Sequence, residues 1–195
     1  MSLRHAVAVS ESPFTFEQQV QEHAGSVWEF SAKTYAMSYD RVNDYADQFE
    51  SFLRALNGRV GTFLFSPPGR YRNSSGAIYG TSAQPKVNLG GQIGRYLGIK
   101  DLPVSTTNVF RAGDMVQIGQ DLQARLYQIL EDVTSDEAGL ATLSLAPKIM
   151  TPYNDNDLIT YNNPHGLWRL KDNYTTTVIE VPFRRSYEIR AMSAL

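Results

Sequence analysis

Phe52-Leu-Arg-Ala-Leu-Asn-Gly58, then Gly61-Thr-Phe-Leu-Phe65, then Ser66-Pro-Pro-Gly69 place a helix end, a strand and a sharp break in direct succession. Upstream, Val42, Tyr45, Ala46, Phe49, Phe52, Leu53 and Leu56 recur at steps of three and four, so they share one face. The spacing predicts a helix over 40–56 that packs on a sheet. Ser38 or Asp40 serves as its cap, and Asp40, Asp44 and Asp47 lie where the helix dipole favours negative charge. Asn57-Gly58 supplies the left-handed stop. Gly61–Phe65 reads as a buried strand that Ser66–Gly69 ends. Further back, Trp28, Phe30, Ala32 and Thr34 alternate with Glu29, Ser31 and Lys33, the pattern of a half-buried strand. Residues 5–9 form a short strand that Pro13 ends or interrupts.

Downstream of the break, Arg70–Gln84 turns to Arg, Asn, Ser, Gly and Ala and reads as a loop or extended arm. Strand patterns resume at Lys86–Leu89, Gly94–Leu102, Met115–Ile118 and Leu140–Leu145. Leu122–Val133 is ambiguous: its leucine spacing favours a helix, whereas its short flanking strands and the turn-like Thr134–Gly139 favour a hairpin. A hairpin is expected there. Pro147 and Pro152 bracket a second breaker. Leu158–Tyr161, Gly166–Leu170, Thr175–Val181 and Phe183–Met192 follow as strands, with Pro182 implying a bulge, bend or edge. The expected fold is mainly β and nested. Residues 1–66 and 153–195 form a β-sandwich domain with one α-helix, and 67–152 form an inserted, OB-fold-like small β-barrel of about five strands.

Composition narrows the function classes. The 195 residues contain no cysteine, which removes disulfide frameworks, thiolate metal sites and cysteine nucleophiles. Eighteen Lys+Arg against 20 Asp+Glu leave a net charge of −2, not the basic excess of a dedicated nucleic-acid binder. Apolar runs stop at four or five residues, so no membrane span or signal peptide is expected. Asn73-Ser-Ser75 and Asn173-Tyr-Thr175 match the glycosylation pattern by chance.

Residue patterns that would carry chemistry are few. His5, His23 and His165 are scattered, without a second ligand at metal spacing. Asn154-Asp-Asn-Asp157 lacks the glycine and glutamate of a calcium loop and reads as a turn. Gly90-Gly-Gln-Ile-Gly94 lacks the Lys-Ser/Thr of a phosphate loop and reads as a β bend. Glu17 with Glu22, and Asp136 with Glu137, are acid pairs without a defined separation. No catalytic, cofactor-binding or metal-binding residue is assigned, and the chain is not read as an enzyme. Arg184-Arg185 reads as a solvated strand edge, the alternative being a contact to acids of a neighbouring subunit.

The helix-then-strand step through Phe52–Gly58 and Gly61–Phe65 resembles the ring-forming domain of the distal tail (Dit) proteins of long-tailed bacteriophages. Arg111-Ala-Gly-Asp-Met-Val-Gln-Ile-Gly119 and Arg125-Leu-Tyr-Gln-Ile-Leu-Glu-Asp-Val133 resemble the middle of the inserted barrel in two-domain members. Asn162-Asn-Pro-His-Gly-Leu-Trp-Arg-Leu170 and Arg185-Ser-Tyr-Glu-Ile-Arg-Ala-Met-Ser-Ala-Leu195 resemble the return to the first domain and its last strand. The resemblance implies a strand within Leu122–Val133 and a homohexameric ring at the virion's tail tip, assembled in the host cytoplasm. Its implied partners are the tail-tube protein, the baseplate hub and the tail-fibre proteins. DNA would pass through the channel without specific binding, and no cofactor or membrane contact is implied. The long Arg70–Gln84 stretch departs from some members.

Two other classes compete. A carbohydrate-binding or host-adhesion module on the insert would use Tyr71, Tyr79, Tyr96 and Tyr127 as stacking residues. Single-stranded DNA binding by the insert is disfavoured, because eight basic residues face seven acidic ones between 70 and 150.

Overall fold

The computed structural model describes residues 1–38, 44–69, 73–180 and 184–194. The chain is mainly β: a β-sandwich with one helix and a small barrel. The larger sheet contains β1 (Ser2–Glu11), β2 (Gln18–Lys33), β3 (Met37–Ser38), β4 (Thr62–Phe65), β11 (Gly166–Leu170), β12 (Thr176–Glu180) and β13 (Arg184–Ser193). Its order is β1-β2-β13-β11-β4. β3 and β12 also pair with β13, where they continue the ribbons of β2 and β11. Arg70–Tyr71–Arg72 and Pro182 lie outside the described residues.

Strand parity decides what this sheet buries. Pairing aligns Phe30 with Ala191, Ala191 with Leu170, and Trp168 with Phe63. Together with Trp28, Phe65, Tyr187 and Ile189 these side chains make one apolar face. Glu29, Lys33, Arg169, Lys171, Glu188 and Arg190 occupy the other. The helix α1 (Tyr45–Ala55) covers one end of the apolar face. There Leu53 and Leu56 pack with Leu170 and Tyr187. The helix begins later than its periodicity suggested: Asp44 is the N-cap and accepts from the Asp47 N–H at 3.1 Å. Residues 40–43, including Asp40 and Val42, lie outside the described residues. Tyr45, assigned to the core stripe, sits in the first turn and is exposed. Asn57 and Gly58 stop the helix at φ of 50° and 63°.

The barrel covers the other end. It contains β5 (Lys86–Val87), β6 (Gly94–Lys100), β7 (Met115–Ile118), β8 (Arg125–Ile129), β9 (Ala141–Ile149) and β10 (Ile159–Thr160), in the order β10-β7-β8-β9-β6-β5. A bridge between Lys86 and Leu158 brings the two ends of that order together. Six strands take part, one more than the sequence marks. The sixth, β10, comes from beyond Pro152 because Ile159 pairs with Ile118. Pro147 does not break the chain; β9 runs through it where the β6–β9 register slips. Leu97, Ile99, Val116, Ile118, Ile129, Leu143, Leu145 and Ile149 fill the interior.

Leu122–Val133 resolves into a short 3-10 turn (Asp121–Gln123) and β8. Its helix-like leucine spacing is coincidental. Leu122 and Leu130 are exposed, Ile129 enters the barrel, and Leu126 points outward against Trp28, Phe30, Met115 and Trp168. Trp28 Nε1–H donates to the Leu126 carbonyl at 2.9 Å, and Leu167 N–H donates to Ala124 O at 3.0 Å. The insert is therefore fastened to the sheet by core packing as well as by its two chain connections.

The expected arm over 70–84 is instead packed down in its described part. Ile78 is fully buried in the barrel core. Gly76 fits only because it has no side chain: a Cβ there would lie 2.3 Å from Val109 O. Asp114 anchors the segment, accepting from Ser74 Oγ (2.6 Å), Ser75 N–H (2.8 Å), Ser75 Oγ (2.6 Å) and Arg111 N–H (3.0 Å). Burial alone would raise this carboxyl's pKa; the hydrogen bonds outweigh it and hold the pKa below its ordinary value. A depressed folded pKa contributes stability above the unfolded value, about 3.9. That contribution is lost as pH falls through the lower folded value. Asp114→Ala is expected to cost about 3 kcal/mol at neutral pH, by stranding several donors. Thermal scans should show a Tm lower by about 6–12 °C. The gap between the two proteins should narrow below about pH 4.

Candidate functional site

The hairpin formed by β1 and β2 gathers five exposed apolar side chains, Val7, Val9, Phe14, Phe16 and Val20. Its base is part of the sheet: Leu3 pairs with Trp28 and packs against the Trp28 cluster. Between the His5–Ser26 and Val7–Glu22 pairs, β2 carries His23-Ala24-Gly25 opposite Ala6 alone. Such a bulge bends the ribbon and increases its twist. Beyond it, five pairs from Val7–Glu22 to Glu11–Gln18 carry the hairpin outward. At about 3.3 Å per residue this is a projection of roughly 17 Å before the turn.

The projection is ordered by its own hydrogen bonds. Ser12 N–H donates to Glu17 O (3.0 Å) and Phe16 N–H to Ser12 O (2.9 Å). Gln18 Nε2 donates to Glu11 Oε2 at 2.6 Å. This turn presents Phe14 and Phe16, which are 91% and 74% exposed. Phe16 also sits at φ 56°, a conformation that costs a residue with a Cβ about 1–2 kcal/mol. Val9 and Val20 pair across the ribbon at 59% and 60% exposure, with Val7 beside them. On β1, Val7 and Val9 share the parity of Leu3, so this stripe continues the sheet's apolar face past the edge of the barrel. Lys148 Nζ of β9 bonds Glu22 Oε1 at 2.8 Å, and that bond holds the Glu22 carboxyl below its usual range. The bond ties the base of the projection to the barrel.

Both ends of the sheet's order, β1 and β4, have one edge without a strand neighbour among the described residues. β1 is the longer, with ten residues and no proline or lysine to blunt it. In the sequence this region carries no legible role, because Pro13 reads as a terminator and the alternation before it has no core to match. The exposed Phe14-Thr-Phe16 beside Pro13 was the available signal.

Residues singled out for chemistry are engaged structurally. Asp155 accepts from Lys100 Nζ (2.7 Å) and Leu89 N–H (3.0 Å), and Asp157 accepts from Asn154 N–H (2.8 Å). Gly90–Gly94 is a bend braced by Gln92, whose amide bonds Asn88 O and Gly98 N–H. Asp136 caps its own turn through Ala138 and Leu140 N–H. Arg185 of β13 pairs with Asp47 (2.7 Å) and Glu50 (3.1 Å) of α1 in the same chain. Tyr127 belongs to the barrel core and its hydroxyl meets that of Tyr153 at 2.9 Å, whereas Tyr79 and Tyr96 are exposed. No cluster of three metal-ligating side chains occurs among the described residues. No described helix is long and apolar enough to cross a membrane. No protein-family model matches the chain, and no curated protein matches it significantly.

Proposed function

We propose that this chain is a structural subunit of a bacteriophage tail tip. Six copies assemble head to tail into a ring that joins the tail tube to the hub and fibre proteins and leaves an opening for DNA. The observation that carries this reading is the projecting hairpin. It extends the sheet's apolar face beyond anything among the described residues that covers it, and ends in two exposed phenylalanines. Rigid display of apolar anchors lowers the entropy cost of association. A cyclic assembly needs two different patches on each subunit. The hairpin is one, and the neighbour's uncovered surface the other.

The sheet's polar face suits a wall past which DNA moves. Glu29 lies 3.1 Å from Arg4 Nε and 2.9 Å from Lys171 Nζ, and Arg190 lies 3.3 Å from Glu188. Paired opposite charges offer phosphates no continuous basic track. Native mass spectrometry of the purified chain tests the assembly: the reading expects six times the subunit mass, and a monomer at every concentration would contradict it.

A further inference from the structure

We infer that the surface receiving the hairpin is the outer edge of β12, to which β1 of the adjacent copy adds as an antiparallel strand. The pairing rests on the ring proposed above and names its second patch.

Beyond its bulge the hairpin is a ribbon of five pairs, from Val7–Glu22 to Glu11–Gln18. A two-stranded ribbon is marginal in water, and a third strand with a shared apolar row stabilises it. The outer edge of β1 has no strand neighbour among the described residues. β12 offers a matching edge, since among the described residues it pairs with β13 alone. Its sequence, Thr176-Thr-Val-Ile-Glu180, is rich in β-branched residues and holds no proline, lysine or glycine to blunt the edge. Ile179 is 72% exposed and lines an open groove of about 600 Å³ beside Ser51 and Arg54 of α1.

Strand direction selects β12 among the open edges. β2 and β12 flank β13 on opposite sides and both run antiparallel to it, and β1 runs antiparallel to β2. β1 and β12 therefore run in opposite senses at opposite edges of the sheet. Rotation about an axis along the strands keeps their directions, so β1 of one copy meets β12 of the next antiparallel. Two different patches are used, and the contact can close into a ring. β4 runs in the same sense as β1, has only four residues, and would pair in parallel, the less stable arrangement. Pairing β1 with β1 would be isologous and stop at two copies. Parity then sets the register. Thr177 lies opposite Tyr187 and Ile179 opposite Arg185, so Ile179 is on the sheet's apolar face, as Val9 is. Placing Ile179 opposite Val9 extends the Val9–Val20 pair into an apolar row across three strands.

The chain has no cysteine, so an introduced pair reports this contact without background. Val9→Cys/Ile179→Cys in the full chain, oxidised by dissolved oxygen with copper-phenanthroline, should give a ladder of up to six covalently joined subunits that reducing agent dissolves. Directly opposed strand residues have Cα atoms about 4.5–5.5 Å apart, within disulfide reach. Ile179→Lys, which charges the paired edge, should weaken assembly at least about tenfold in sedimentation velocity, about 1.4 kcal/mol. Its unfolding midpoint should not change, since Ile179 is exposed. Rings that form without a ladder, or that withstand Ile179→Lys, would overturn the pairing and leave the ring standing. Cross-linked dimers from Val9→Cys alone would set β1 against β1 and overturn it. A parent chain that stays monomeric would overturn the pairing and the ring together.

Discussion

Replacing Trp168 with alanine is expected to lower unfolding free energy by about 4 kcal/mol. Trp168 is fully buried where sheet and barrel meet. Its ring lies edge-on to Phe30 at 4.8 Å and to Phe65 at 6.3 Å, and its Nε1–H donates to Phe65 O at 3.1 Å. Met115 and Leu126 reach the same cluster from the barrel. Alanine there leaves a cavity shared by both units and removes the hydrogen bond to the Phe65 carbonyl. Against a total stability of about 5–15 kcal/mol, that is enough to leave the variant marginal at 37 °C. Urea unfolding provides the measurement. Trp168→Phe, which retains most of the volume, should lose about half as much. A loss under about 1 kcal/mol for alanine would mean that the barrel does not depend on this junction.

The second large effect concerns assembly and leaves the subunit intact. Phe14→Ser/Phe16→Gly removes the two exposed anchors and places glycine where φ is 56°. Buried interface anchors are worth about 2 kcal/mol or more each, roughly thirtyfold in Kd. Repeated around a ring, that loss should shift the population to monomers. The unfolding midpoint of the isolated subunit should stay the same or rise, because glycine relieves about 1 kcal/mol of backbone strain. Sedimentation velocity and thermal scans on one preparation separate the two effects. Unchanged assembly would remove the hairpin tip from the interface. A joint loss of assembly and stability would mean that the phenylalanines support the fold instead.

Legibility in the sequence followed burial. Trp28 and Phe30 alternate with polar neighbours and could be assigned to their face directly, since that strand has one dry side. β8 was harder because both of its sides are covered: Ile129 enters the barrel and Leu126 meets the sheet. Strands buried on two faces lose the period that marks them. Ile78 was missed as a single anchor in a polar stretch, which Asp114 holds through Ser74, forty positions away from it. The projecting hairpin was missed for the opposite reason: with no core beneath it, its pattern has nothing to match. The contact between Gln117 and His165 could not be read at all, because it follows from the pairing of β7 with β10.

Negative-stain electron microscopy of the purified full chain tests the central claim most directly. The account predicts closed rings of six subunits around an open centre, lost in the Phe14→Ser/Phe16→Gly variant. Dispersed single subunits at high micromolar concentration, or open filaments in place of rings, would contradict it.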